Sequence, residues 1–247
     1  MKAASLTDIG RVRTSNQDTV FLSLDPVGVL PNLFLAADGM GGHRGGDYCS
    51  RELVRRLVET LGNMAGEPVL AMRSAIEEVN AGLYRESVEN PELSGMGSTL
   101  VACFVDGDTA YAFNAGDSRL YLLNPGSGMR QITRDHSYVE EMVSAGRMKR
   151  GSEIYNRNKN IITRAVGIDS RVEVDVFEFP FPAGAGILLC TDGLTNMLDD
   201  LQIEEIIRGE EDPERAVQKL TAAANEQGGR DNISAVLALS SEKEAAE

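Results

Sequence analysis

Apolar residues in this chain fall into short unbroken runs that end on an acidic residue beside glycine, a pattern that predicts buried strands delivering carboxylates to a sheet rim. Residues 33–37, Leu-Phe-Leu-Ala-Ala, run into Asp38-Gly39 and the glycines Gly41 and Gly42. The arrangement returns at 186–190, which ends on Thr191-Asp192-Gly193, and at 110–115, which ends on Gly116-Asp117. It is mirrored at Asp231, which stands before the apolar run 233–237. One Asp-Gly pair is an ordinary turn signal. Several at strand ends predict a shared oxygen-lined site, because clustered carboxylates are costly to bury without a cation and hard ions such as Mn²⁺ and Mg²⁺ take carboxylate, carbonyl and water oxygens. Gly39 lets an ion approach the main chain, its own carbonyl included.

Between these strands the period changes. Leu53, Val54, Leu57, Val58 and Leu61 predict a helix ending at Gly62, and Val69, Met72, Ile76, Val79 and Leu83 a second after Pro68. The spacing from Cys49 to Arg55 matches that of cysteine phosphatases, but it falls on the first helix without the glycines needed to wrap a phosphate, and is rejected. Residues 97–105, a turn at Asp106-Gly107-Asp108, and 109–111 read as a hairpin, with strands continuing at 114–123 and 129–133 and another at 172–179. His136 reads as the cap of a helix from Tyr138 to Gly146, and His43 as shaping the glycine loop. Helices are predicted near 202–207 and after Asp212-Pro213, the latter with Ala216, Leu220 and Ala223 inward. The tail 241–247 is polar.

Composition narrows the classes. With 247 residues, 42% hydrophobic and 25% charged, the chain suits one globular domain. Three scattered cysteines suit reduced thiols and a cytoplasmic location, and no apolar run reaches membrane-spanning length. A formal net charge of −14 argues against nucleic acid as partner, since phosphate-backbone binding needs Lys and Arg. Two histidines exclude a histidine-rich zinc centre. Against this acidic background residues 146–164 are basic, with Arg147, Lys149, Arg150, Arg157, Lys159 and Arg164. Arg13, on its own, reads as a surface arginine or as a phosphate ligand.

Arg13-Thr14-Ser15-Asn16-Gln17-Asp18, Asp38-Gly39-Met40-Gly41-Gly42-His43, Gly97-Ser98-Thr99, Gly116-Asp117-Ser118-Arg119, Asp135-His136-Ser137, Ile162-Thr163-Arg164-Ala165-Val166-Gly167, Thr191-Asp192-Gly193-Leu194 and Asp231-Asn232-Ile233 together resemble, in order, the motif set of the type 2C metal-dependent protein phosphatases, especially the compact bacterial kind. The resemblance spans nearly the whole chain. It implies an α+β fold, a central sandwich of two antiparallel sheets flanked by helices, with a dimetal cleft at one end. It implies a domain over 1–240 with a flap at about 144–168. It also implies two Mn²⁺ or Mg²⁺ ions held by Asp38, the Gly39 carbonyl, Asp192 and Asp231, activating a bridging water. An additional third ion would sit at Asp117, shared with Asp192, with Asp18 near the metal shell and Arg13 on substrate phosphate. Two departures stand out. Gln17 occupies a position where many relatives have Glu, and Met40 one where some have a His that serves as general acid. Phosphorylated Ser/Thr proteins, the substrates of a cognate kinase, are the implied partners, with no membrane partner. A hydrolase of small phosphate esters and a silent phosphoprotein-binding regulator are the alternatives.

Overall fold

The computed structural model of the protein describes residues 1–240, those at 42–44 by backbone only, so the tail 241–247 and the role read for His43 lie outside the described residues. Strands β1 (Lys2–Asp8), β2 (Asp18–Ser23) and β3 (Leu33–Met40) lead into helices α1 (Gly42–Gly62) and α2 (Pro68–Glu89). Strands β4 (Gly97–Ser98), β5 (Leu100–Asp106), β6 (Thr109–Ala115), β7 (Arg119–Asn124) and β8 (Gly128–Gln131) follow. Two short helices, α3 (Tyr138–Ser144) and α4 (Glu153–Asn158), precede β9 (Asp175–Pro180), β10 (Gly186–Cys190), the one-turn α5 (Asp192–Thr195), α6 (Asp200–Arg208), α7 (Pro213–Glu226) and β11 (Ile233–Leu239).

The strands form two antiparallel sheets, one ordered β1-β11-β10-β7-β8 and the other β2-β3-β5-β6-β9, with β4 paired to β3. Alternation along each strand decides what its faces cover. On β3, Leu33, Leu35 and Ala37 pack under α1 and α2, while Phe34 and Ala36 face the opposite sheet. On β10, Leu188 and Cys190 pack under α6 and α7, while Ile187 and Leu189 face inward. The result is four layers, helix, sheet, sheet, helix, with separate apolar cores between successive layers.

Several boundaries differ from the sequence reading, each for a physical reason. The run 114–123 is two strands: Gly116, at φ 120°, turns the chain out of one sheet into the other. β1 was not legible, being a half-buried edge strand with one neighbour. β9 starts at Asp175 rather than at 172. Ser137, not His136, caps α3 by accepting from Glu140 N, and on α7 Ala224 is buried where Ala223 is half-exposed. α1 reaches back into the glycine run, because a methyl group on Gly46 would lie 2.7 Å from the Gly39 carbonyl oxygen and one on Gly39 2.1 Å from that of Gly46. Only glycines let the helix start so close to the strand end.

Candidate metal centre

The site lies where the inter-sheet core runs out. Extending the inward parity of each strand by one step replaces the apolar side chains with polar ones: Asp18 precedes Val20 on β2, Asp38 follows Ala36 on β3, Thr99 precedes Val101, Ser118 precedes Leu120, Thr191 follows Leu189 and Ser234 precedes Val236. These residues share one end of the sandwich and bond to one another. Thr191 Oγ1 and Ser234 Oγ donate to Asp18 Oδ2 at 2.8 and 2.7 Å. Asp38 N donates to Thr99 Oγ1 at 2.9 Å, and Thr99 Oγ1 lies 2.7 Å from Ser118 Oγ.

Above this floor a cavity of about 480 Å³ opens, lined by Arg13, Asp38, Gly39, Asp117, Asp192 and Asp231 among others. All the residues read as ion or phosphate ligands therefore meet on one wall-to-wall surface; Asp18 stands directly behind Asp38, its register partner across β2 and β3. Asp231 Oδ2 accepts from Arg13 Nη2 at 2.7 Å, and Asp192 Oδ2 from Asn196 Nδ2 at 2.9 Å. Met40, Asn160 and Ile162 complete part of the wall.

Sequence reasoning passed over Asn232 as anything more than part of a motif. Its side-chain amide donates to the carbonyls of Ile9 and Ser15 at 2.9 and 3.0 Å, and its oxygen accepts from Gln17 N at 2.9 Å. One buried amide thus shapes the loop that presents Arg13. Gln17 in turn binds the centre through its backbone, its carbonyl accepting from Gly39 N at 3.0 Å and from Ser50 Oγ at 2.6 Å.

Electrostatics mark the cluster as incomplete without a cation. Burial, reinforced by the neighbouring aspartates, pushes Asp38 well above the ordinary carboxylate range. Burial and Asp192 raise Asp117, burial and Asp231 raise Asp192, and burial raises Asp18 despite the hydroxyls of Ser234 and Thr191. Asp18 Oδ1 and Asp192 Oδ1 are buried and have no hydrogen-bond partner. Buried polar atoms are rarely left so, and orphaned anionic oxygens at a pool of like charge fit a hard divalent ion. Among the described residues no group of three or more His, Cys, Asp or Glu side chains is arranged to hold one ion by itself. All three cysteines are buried and free, and burial pushes the Cys49 thiol up to about 12, so no thiolate nucleophile is at hand.

A carboxylate cluster and one arginine at the end of a two-sheet sandwich have the chemistry that a cation-assisted hydrolase of phosphate esters needs. The family model for protein phosphatase 2C matches residues 10–238. The chain belongs to the protein phosphatase 2C family and is an enzyme. It is 38% identical to serine/threonine phosphatase stp of Listeria innocua, over 96% of this chain and 95% of that protein. The solved serine/threonine phosphatase of S. agalactiae superposes with a TM-score of 0.89 at 33% identity, covering 98% of this chain and 99% of that one. The catalytic domain of the phosphatase PstP, solved in complex with two manganese ions, gives a TM-score of 0.83 at 30% identity, covering 97% and 98%.

Proposed function

We propose how this metal-dependent serine/threonine protein phosphatase works: phosphoserine and phosphothreonine side chains of proteins enter the cavity at Arg13 and are hydrolysed over the aspartate cluster. The observation that carries the reading is the meeting of Asp38, Gly39, Asp192 and Asp231, from three separate parts of the chain, on the one cavity that also holds Arg13. Asp38, the Gly39 carbonyl, Asp192 and Asp231 would hold two Mn²⁺ or Mg²⁺ ions, and Asp117 with Asp192 a third. When bound, such ions supply Lewis acidity, lowering the pKa of a water and offsetting phosphoryl charge. Arg13 contributes a fork of donors; with one nitrogen on Asp231 it retains N–H groups for phosphate oxygens and cannot lose its charge near neutral pH. Asp18 holds the floor beneath Asp38 through Thr191 and Ser234, and Asn232 holds the Arg13 loop. Met40 lines the cavity but has no proton to give, so the leaving alkoxide takes its proton from water.

We assign a single domain over 1–240, with 144–168 as a flap whose basic residues meet phosphoprotein segments. The substrates are those of a cognate Ser/Thr kinase in the cytoplasm, with neither nucleic acid nor membrane as partner. Buried free thiols and the net charge of −14 support this placement; among the described residues no helix is long and apolar enough to cross a membrane. The test is turnover of an aryl phosphate and of phosphoserine and phosphothreonine peptides, in EDTA, Mg²⁺ and Mn²⁺ in parallel. Ion-dependent turnover of the peptides is expected. Turnover confined to small esters would favour a small-ester hydrolase, and none at all a silent binding module.

A further inference from the structure

We propose that Lys159 is a positioning residue that ties the seating of the 146–164 segment to ion retention at Asp192; the proposal rests on the assignment of Asp192 as an ion ligand. Lys159 immediately follows α4 and is half-buried. Its Nζ donates to Asn196 Oδ1 at 2.5 Å, and Asn196 Nδ2 donates to Asp192 Oδ2 at 2.9 Å. Asn196 N also donates to Asp192 O at 2.7 Å, so the asparagine folds back on the aspartate through both backbone and side chain.

Three features make this a coupling device rather than a surface contact. A primary amide has distinct donor and acceptor ends, and a cation on the oxygen with a carboxylate on the nitrogen fixes its orientation and strengthens both bonds. With Asn196 on Oδ2, the buried and unpartnered Oδ1 of Asp192 is the oxygen left for an ion. The lysine thus reaches the carboxylate through the amide, and it shares with Asp117 and Asp192 the lining of a small cavity beside the centre. The segment is also anchored ahead of Lys159. The buried carboxylate of Glu140 accepts from Tyr155 Oη at 2.6 Å and pairs with Arg150, which fastens α4 to α3. Beyond Lys159 the segment is tied again, Tyr138 N donating to Ile161 O, Thr163 N to His136 O, and Arg164 pairing with Asp175; of these ties, the one through Lys159 and Asn196 ends on Asp192. Thermodynamic linkage then requires that if seating of the segment favours the ion, the ion favours seating of the segment.

The experiment compares wild type, Lys159→Met, Lys159→Arg and the control Lys149→Met, which removes a flap charge from an exposed position. Mn²⁺ affinity is read by calorimetry, and amide hydrogen exchange of residues 153–158 is read with and without Mn²⁺. Expected results are Mn²⁺-induced slowing of exchange in wild type and Lys149→Met, its loss in Lys159→Met, roughly 10-fold weaker Mn²⁺ binding in Lys159→Met, as for other residues that support a metal ligand, and partial recovery in Lys159→Arg. Equal Mn²⁺ affinity in Lys159→Met and wild type would overturn the relay alone. Weaker binding with the slowing intact would also overturn it, because the charge would then act without the segment. A wild type that binds no Mn²⁺ would sink both the relay and the ion site.

Discussion

Asp18 and Asp38 stand directly opposite each other across the β2–β3 ladder, two carboxylates in a position where a sheet ordinarily avoids like charge. Asp18 is fixed from below by two hydroxyls and Asp38 opens onto the cavity, so a cation that enters there relieves the repulsion within the pair.

Asp18→Asn keeps an acceptor for Thr191 and Ser234 while removing one charge. Without ions the variant should be more stable by about 1 kcal/mol, or roughly 2–4 °C in Tm for a chain of this length. Its Mn²⁺ affinity should fall roughly 10–100-fold, as for other residues that support metal ligands. Thermal unfolding in EDTA and calorimetry with Mn²⁺ check the two signs, and a less stable ion-free protein would count against the repulsion.

The aspartate cluster makes a pH prediction whose sign follows from linkage. Asp192 is raised to about 6 and Asp18 to about 7. Between the ordinary carboxylate range and those values the folded state binds more protons than the unfolded chain, so these groups lower stability as pH rises through that window. An ion needs the deprotonated carboxylates and reverses the effect. The gap between Tm in Mn²⁺ and Tm in EDTA should therefore widen from pH 5 to pH 8 in fluorimetric melts; a constant gap would contradict it.

Arg13→Ala should act on substrate rather than on folding. Its ion pair with Asp231 is exposed, 51% on the arginine side, and such pairs contribute about 0–1 kcal/mol. A charge-assisted contact to phosphate is stronger, about 1.5–3 kcal/mol, so KM for an aryl phosphate should rise on the order of 10-fold with Tm within a degree or two. Steady-state kinetics with an unchanged KM would remove Arg13 from the phosphate site.

Two glycines of α1's neighbourhood should respond oppositely to alanine. At Gly39 the new methyl group meets the Gly46 carbonyl oxygen at 2.1 Å, backbone against backbone, and the cost should be about 4 kcal/mol or more, with loss of Mn²⁺ binding. At Gly62, the exposed last residue of the same helix, nothing lies within 4 Å of an added methyl group and φ is not positive. Gly62→Ala should gain roughly 0.5–1 kcal/mol. Chemical denaturation of both variants gives the comparison.

Local periodicity determined much of this protein. The apolar runs that became β3, β10 and β11, the helical stripes of α1 and α2, and the acidic residues at strand ends were all legible, because each reflects burial of a face within one element. Asp38, Asp117, Asp192 and Asp231 could be singled out on that basis, and the motif order supplied Arg13, Asp18 and the role of Asp117. What the pattern could not say is which face meets which: β10 pairs with β11 across a long stretch of chain, setting Thr191 beside Ser234, and only the packing of that sheet on the one that holds β2 turns Asp18 toward both. The split of 114–123 at Gly116 and the reach of Lys159 to Asn196 were hidden for the same reason. A side chain's face is set by its neighbours in sequence, whereas its partner is set by strand order, which is non-local and is resolved only when the two sheets pack.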